Sequence, residues 1–263
     1  MHNPKVIAIT GASSGLGAEL ARAYAAQGIT LYLAGRDAKR LESVAKDCKN
    51  KGAHVQITVN DVTNGVDIDR WLQEADQKTP VDMVIANAGV SAGTLGGEDV
   101  TQVRTLFSTN IDGVINTIHP LIEPMSARRR GQLVIISSIA GLLALPSSPA
   151  YCASKAAVTT YGDALRGVLA RQGVGVTVVT PGYIQTPMTD VNNYPMPGLK
   201  TAQDAAALIR QRLKKNPARI AFPGWFYGFV RFISLLPLPM RMALLNRLPA
   251  KPSLNYHEEP CAS

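Results

Sequence analysis

The sequence predicts an α/β fold, a doubly wound and mostly parallel seven-stranded sheet with helices on both faces. Three observations carry that prediction. Seven short apolar runs, rich in β-branched residues, recur along the 263 residues, and longer helix-forming stretches separate them. The runs are apolar almost throughout, without polar alternation, which marks strands covered on both faces. No linker, internal repeat or low-complexity tract breaks the series, so right-handed crossovers between successive strands build one sheet.

The elements follow in order. Val6–Thr10 opens the sheet and ends in glycine, with a helix predicted over Ala18–Gln27. Thr30–Ala34, Val55–Val59 and Met83–Ala86 are the next strands, joined by helices over Ala38–Lys51 and Ile68–Gln77. A long helix over Val100–Met125 leads to the strand Leu133–Ser137, and another over Ser154–Arg171 leads to Val174–Thr180. The last helix, Ala202–Lys214, follows Thr201 with Asp204 three residues on, a capping-box arrangement, and runs into the strand Ile220–Phe222. Residues 1–222 read as one domain, and 223–263 as an apolar, basic extension.

Composition narrows the class. With 46% hydrophobic and 17% charged residues, the chain fills a sizeable core and is not composed like a disordered one. Cys48, Cys152 and Cys261 lie far apart with no C-x-x-C spacing, so reduced thiols in a cytoplasmic protein are expected. The four histidines are scattered and form no metal motif. The opening residues reach glycine too soon to make an export segment. Residues 199–251 carry ten Lys or Arg against one acid, Asp204, while the net charge of the whole chain is +8. A basic tail suits nucleic acid, but this one is apolar as well, and no nucleic-acid partner is expected.

In doubly wound sheets, ligands bind beyond the carboxyl ends of the strands. There the first strand is followed by TGASSGLGAEL, with Gly11, Gly15 and Gly17 leading into a helix. Glycines let backbone N–H groups approach a pyrophosphate, and the helix N-terminus favours its charge. The spacing G-x-x-x-G-x-G differs from the commoner G-x-G-x-x-G. The second strand ends in Gly35 and Arg36, where an acid would hold a ribose 2′-hydroxyl. Glycine leaves room for a 2′-phosphate and a guanidinium pairs with it, so NADP(H) is expected ahead of NAD(H). Asp37 is read as the N-cap of the next helix.

With these residues in place the chain resembles the short-chain dehydrogenase/reductase family of single-domain, Rossmann-like enzymes, over Lys5 to about Phe222. The marks are TGASSGLG at 10–17, NDV at 60–62, NAG at 87–89, Asn110, ISS at 136–138, YCASK at 151–155 and PGYIQT at 181–186. Each alone is weak; seven in this order are not. The three-residue gap between Tyr151 and Lys155 separates the chain from enoyl-reductase members, which have six.

The resemblance implies that Asn110, Ser138, Tyr151 and Lys155 form the catalytic set. It places the cofactor on Gly11, Ser13, Ser14, Gly15, Leu16 and Gly17, on Arg36, Asp61 and Val62, and on Asn87, Ala88 and Gly89. Tyr151, Lys155, Pro181, Gly182, Ile184 and Thr186 complete that groove, the last two at the nicotinamide carboxamide. Ser137 is read as structural, Cys152 as packing, Trp71 and Tyr161 as core or interface, and Arg128–Arg130 as a solvated turn.

Y-x-x-x-K by itself is an ordinary helix face. Residues i and i+4 nevertheless share that face, so Tyr151 and Lys155 can point into one pocket. A free phenol has a pKa of about 10; a nearby ammonium and an oxidised nicotinamide favour phenolate and lower it. Tyr151 is then expected to exchange a proton with the substrate oxygen, Ser138 to stabilise charge there, and Asn110 to anchor a water linking Lys155 to solvent. The alternative is a non-catalytic NADP(H)-binding regulator or scaffold on the same fold.

Two segments remain. From Ile220 to Leu236 the only charge is Arg231; a central arginine and the breakers Pro237 and Pro239 argue against a membrane span. Two possibilities stay open for 223–248. One is a surface-lying helix pair touching lipid, with Arg231, Arg241 and Arg247 on headgroups. The other is packing on the substrate cleft or a partner subunit. Both suggest a small hydrophobic carbonyl or alcohol substrate of lipid, steroid or acyl type. The loop Pro187–Gly198, with Met188, Tyr194 and Met196, has the composition of a closing lid. The resemblance implies a homodimer or homotetramer, since the Val100–Met125 and Ser154–Arg171 helices match those through which the family usually pairs.

Overall fold

The computed structural model describes residues 3–254, so Cys261 lies outside the described residues. Seven parallel strands form the sheet: β1 Val6–Thr10, β2 Thr30–Gly35, β3 His54–Val59, β4 Met83–Ala86, β5 Gly131–Ile136, β6 Val174–Pro181 and, beyond a short pair, β9 Arg219–Phe222. Their spatial order is β3-β2-β1-β4-β5-β6-β9. The chain therefore winds outward in both directions from β1 and β4, and the switch point opens a crevice beyond their carboxyl ends. β1 shows why these runs are apolar throughout. Ile7 and Ile9 enter one core, Val6 and Ala8 the other, and all are buried. Only the edge strand β3 departs, with Ile57 and Val59 exposed.

The first core is closed by α1 Gly15–Tyr24, α2 Ala38–Asn50 and α7 Ala202–Leu213 through Leu16, Leu20, Leu41 and Ile209. The second is closed by α3 Gly65–Lys78, α5 Gly113–Ala127 and α6 Pro149–Ala170 through Ile68, Leu72, Ile118, Leu121 and Val158. Caps fall on short polar side chains: Asp37, Asn64 and Thr201 each accept a backbone N–H three residues on. Cys48 and Cys152 sit in these interiors, and burial pushes both thiols up to about 11. Burial of this kind disfavours the reactive thiolate.

The predicted single helix Val100–Met125 is broken. α4 Val100–Phe107 passes through a π turn, Ser108–Asp112, before α5 begins. The extra residue turns Asn110 inward, where it is fully buried, as π turns often do at functional sites. Gly113 is required there because a Cβ would lie 2.6 Å from the Val62 side chain. α6 also starts earlier than predicted, at Pro149, which fills the first-turn position that needs no N–H; Tyr151 thus stands in its first turn. Two strands went unanticipated, the paired residues of β7 Ile184–Gln185 and β8 Lys200–Thr201.

The extension forms α8 Gly224–Ser234 and α9 Leu238–Leu245. Val230, Ile233 and Leu245 are buried against the domain, while Trp225, Phe229, Phe232, Leu235, Leu238 and Met240 face outward, each more than half exposed. Among the described residues no helix is long and apolar enough to cross a membrane.

Candidate active site

The crevice at the switch point is a cleft of about 300 Å³. Its floor is the β1–α1 turn. Gly11 and Gly15 hold φ of 65° and 53°, which side chains rarely adopt. A Cβ on Gly11 would come within 2.8 Å of the Ala88 Cα, and one on Gly17 would overlap the Gly11 carbonyl. Asn87 stitches this turn to β4, its amide donating to the carbonyls of Thr10 (3.1 Å) and Gly11 (3.2 Å). Ser14 caps α1 without a side-chain bond, so no capping hydroxyl occupies the first-turn N–H groups. An anionic diphosphate fits this cradle, because glycine backbone and free amide donors face the space it would fill.

Ser13, Ser14, Gly15 and Leu16 line the cleft with Gly11, and Arg36, Asp61, Val62, Asn87, Ala88 and Gly89 line the adjoining wall. Gly17 packs beneath the wall. At the β2 end, Arg36 lies 3.6 Å from the Asp61 carboxylate, and Arg40 pairs with Asp37 at 2.6 Å. Asp37 caps α2 through the Arg40 backbone at 2.9 Å. Burial raises the Asp61 pKa, but bonds from Thr63 and the charge of Arg36 outweigh it and leave a net lowering. Arg40, which sequence reasoning passed over, adds a second guanidinium to the cleft. It lies in the first turn of α2, just past the Asp37 cap.

At the other end, β5, α6 and the segment after β6 meet. Ser138 caps a short 3₁₀ turn, Ile139–Leu142, accepting the Ala140 N–H at 3.1 Å. The Ser138 and Ser91 hydroxyls both stand beside the Tyr151 phenol oxygen and favour its ionised form. The buried Lys155 donates to the Ile136 carbonyl at 3.1 Å, with Nζ 5.9 Å from the Tyr151 ring centre. Ser137 points away from the cleft, bonding the Lys155 carbonyl (2.9 Å) and Thr159 (2.7 Å). Pro181, Gly182, Ile184, Thr186 and Met188 close this end. Tyr183, between β6 and β7, stacks on Phe226 of α8 and meets Tyr194 edge-on, so an aromatic cluster joins two loops to the extension.

Tyr151 and Asn110 complete the site. Burial is the largest influence on Tyr151 and pushes its pKa up to about 12. Desolvation also brings Lys155 down to about 8. The Asn110 side chain is spent on structure. Its amide group donates to the Val90 carbonyl (2.9 Å) and Ser154 (3.0 Å), and its oxygen accepts the Val90 N–H (2.9 Å). Ser91 and Lys251 were missed; Ser91 follows the NAG mark by two residues, whereas nothing near Lys251 signals its place.

Comparison with known proteins agrees with this architecture. The sequence model described as short chain dehydrogenase matches residues 5–196. An uncharacterized oxidoreductase of Myxococcus xanthus is 35% identical over 243 residues, covering 91% of this chain and 96% of that protein. Dehydrogenase/reductase SDR family member 7B of Danio rerio is 36% identical over 193 residues, 70% of this chain and 62% of that one. Among solved structures, a Sphingobium yanoikuyae short-chain dehydrogenase in complex with NADPH superposes with a TM-score of 0.78 at 21% identity, covering 95% of this chain and 99% of that one. A Mycobacterium paratuberculosis short-chain dehydrogenase bound to NAD gives 0.74 at 22% identity, over 82% and 95%. The chain belongs to the short-chain dehydrogenase family of oxidoreductases.

Proposed function

We propose that the protein is an NADP(H)-dependent oxidoreductase that reduces a carbonyl, or oxidises the corresponding secondary alcohol, on a hydrophobic substrate of lipid, steroid or acyl type. The observation that carries this is Tyr151, beside Ser138 at one end of a glycine-floored cleft, with the Lys155 ammonium buried next to it. The dinucleotide would rest on the 11–17 turn, on Arg36, Asp61 and Val62, and on Asn87 to Gly89, with Ile184 and Thr186 at its nicotinamide end. When bound, it supplies or accepts the hydride.

The protein's own residues handle the oxygen and the proton. Ser138 donates to the carbonyl oxygen and orients it. Held at about 12, Tyr151 is a phenol at neutral pH, ready to donate. An alkoxide is a stronger base than a phenolate, so the proton passes to it downhill. Lys155 stays charged below about 8 and offsets the phenolate left behind. Asn110 acts by fixing Val90 and thereby the strand-end segment under the site.

The extension supports two further readings. The wall of Tyr183, Tyr194, Phe226 and Met188 favours an apolar substrate. The outward Trp225, Phe229 and Phe232 share one helix stripe with Arg231 on the same helix, which supports peripheral contact with an anionic lipid surface. A homodimer or homotetramer through α4, α5 and α6 is supported by exposed Phe107 and Val168. A cytoplasmic location fits the buried free thiols Cys48 and Cys152.

The test is Tyr151→Phe. It should bind NADPH as wild type does, yet reduce a panel of apolar ketones and aldehydes at least ~10²-fold more slowly, the scale of losing a general acid. Full activity in that variant refutes the assignment. NADPH binding with no turnover by the wild type across the panel points to a regulator instead.

A further inference from the structure

The extension brings a second buried ammonium to the site. After α9 the chain returns across the substrate end as a strap. Gly93 N–H donates to the Pro252 carbonyl (2.8 Å), Leu95 N–H to the Lys251 carbonyl (2.9 Å), and Ser253 N–H to the Leu95 carbonyl (2.8 Å). Leu254 N–H is held at 2.8 Å by the buried Gln102, which donates to the Gly93 carbonyl at 2.9 Å. The fit is close enough that a Cβ on Gly93 would overlap the Lys251 carbonyl.

These contacts bury Lys251, leaving it 7% exposed. Its Nζ donates to Ser91 Oγ at 2.9 Å and to the Met188 carbonyl at 3.2 Å. Among the described residues it joins no ion pair. Ser91 in turn stands beside the Tyr151 hydroxyl and favours its ionised form. Because Ser91 Oγ accepts from an ammonium, its own proton is directed toward the phenol oxygen.

We propose that Lys251 is a positioning residue of the catalytic site, acting on Tyr151 through Ser91. The inference rests on Tyr151 as the proton donor. As the Tyr151 O–H bond breaks and the substrate oxygen takes the proton, the electron pair stays on the phenolate. Ser91 donates to that phenolate, and Lys251 polarises the Ser91 hydroxyl; both keep their protons, and Tyr151 is reprotonated from solvent. A buried ammonium without a counter-ion is costly, and a transient phenolate on the far side of Ser91 is the anion it answers. Other titratable groups surround this chain of bonds. Lys155, Cys152, Tyr183 and Tyr194 face Tyr151. Glu98 lies under the strap, occupied by Gln102 and Ala150, and Asp190 lies two residues beyond Met188. Burial lowers Lys251 to about 8, as it does Lys155.

The experiment compares the full chain with Lys251→Met, Lys251→Arg, Ser91→Ala and Tyr151→Phe. For carbonyl reduction, Lys251→Met and Ser91→Ala should lower kcat by roughly ten- to a hundredfold, somewhat less than losing a direct oxyanion donor. The NADPH Kd should change less than twofold. Two lysines must stay protonated, so the wild-type plot of log kcat/KM against pH should fall with slope −2 above about 8. Lys251→Met should fall with slope −1. Lys251→Arg keeps the charge and should restore most of the rate, also with slope −1. Independently of activity, ε-¹³C-lysine NMR of the cofactor-free protein should show a resonance, lost in Lys251→Met, that titrates near 8 and moves in Ser91→Ala. Wild-type rate and slope in Lys251→Met, with Tyr151→Phe inactive, overturn the inference alone. A Lys251 titration at the unperturbed 10.5 also overturns it. Activity persisting in Tyr151→Phe takes down both this inference and the function proposed above.

Discussion

Replacing Arg36 and Arg40 by leucine tests the cofactor assignment, and the structure sets the size of the effect. Both guanidinium groups border the cleft at the end of β2, with side chains 69% and 60% exposed. A hydrogen bond to a charged group contributes about 1.5–3 kcal/mol, and this much exposure argues for the lower end. Each arginine must also loosen from a carboxylate, Arg36 from Asp61 at 3.6 Å and Arg40 from Asp37 at 2.6 Å. Exposed pairs of that kind contribute under about 1 kcal/mol, so they oppose binding only weakly. A net ~1.4 kcal/mol per arginine is tenfold in Kd for NADPH. The two act on one phosphate and are not additive, so the double variant should lose between about ten- and a hundredfold. With Arg40 gone, the Asp37 charge faces the phosphate unneutralised, which pushes in the same direction. The Arg40 N–H still caps Asp37, so the fold is spared. NADPH and NADH titrations followed by nicotinamide fluorescence read the result without a substrate. NADH binding should be nearly unchanged. Equal wild-type affinity for the two cofactors, or an unchanged ratio in the double variant, refutes the reasoning.

Carbonyl reduction should be flat with pH up to about 8 and decline above it, as Lys155 and Lys251 lose their protons; Tyr151, at about 12, adds no limb in that range. A profile rising between pH 8 and 10 in the reducing direction would contradict this. Asn110→Ala removes three bonds at a fully buried position and leaves the Val90 N–H and carbonyl unpaired. Val90 is only half-buried, so we expect a loss of about 2 kcal/mol and a melting temperature lower by roughly 4–8 °C, read by circular dichroism. Replacing Trp225, Phe229 and Phe232 with glutamate should abolish flotation with phosphatidylserine-containing vesicles and leave the melting temperature within a few degrees, since all three face outward. Wild-type protein that stays at the bottom of the gradient removes lipid contact from consideration.

How much of this was legible follows from the range of the forces involved. The sheet was readable because each strand buries both faces, so its apolar run is continuous and needs no partner to be seen. The break at 108–112 was not. Its π turn depends on Asn110 reaching Val90, twenty residues back, and periodicity cannot show that bond. The start of α6 was misplaced because Ser-Ser-Pro reads as loop, although proline is also a good first residue of a helix. Arg40 was within reach, in the first turn of the helix that follows Arg36. Lys251 was not, since 160 residues separate it from Ser91. The tail's apolar content was plain, but the rotation that hides Val230 and Ile233 while leaving Trp225 and Phe229 outside is set by what it packs on.

The ionisation of Tyr151 marks the same boundary more sharply. Sequence shows that a lysine stands one turn away and suggests an acidic phenol. Burial depends on every element around the residue, and here it dominates and reverses the direction. A tyrosine held protonated is the wrong starting state for abstracting a proton from an alcohol and the right one for protonating a carbonyl oxygen. Whatever lowers its pKa must therefore act as the negative charge develops. The groups placed to do so are the hydroxyls beside its oxygen, Ser138 and Ser91, and the two buried ammonium groups, Lys155 beside its ring and Lys251 behind Ser91. Catalysis in this site then depends on donors fixed before the proton moves, which act most strongly where water is excluded.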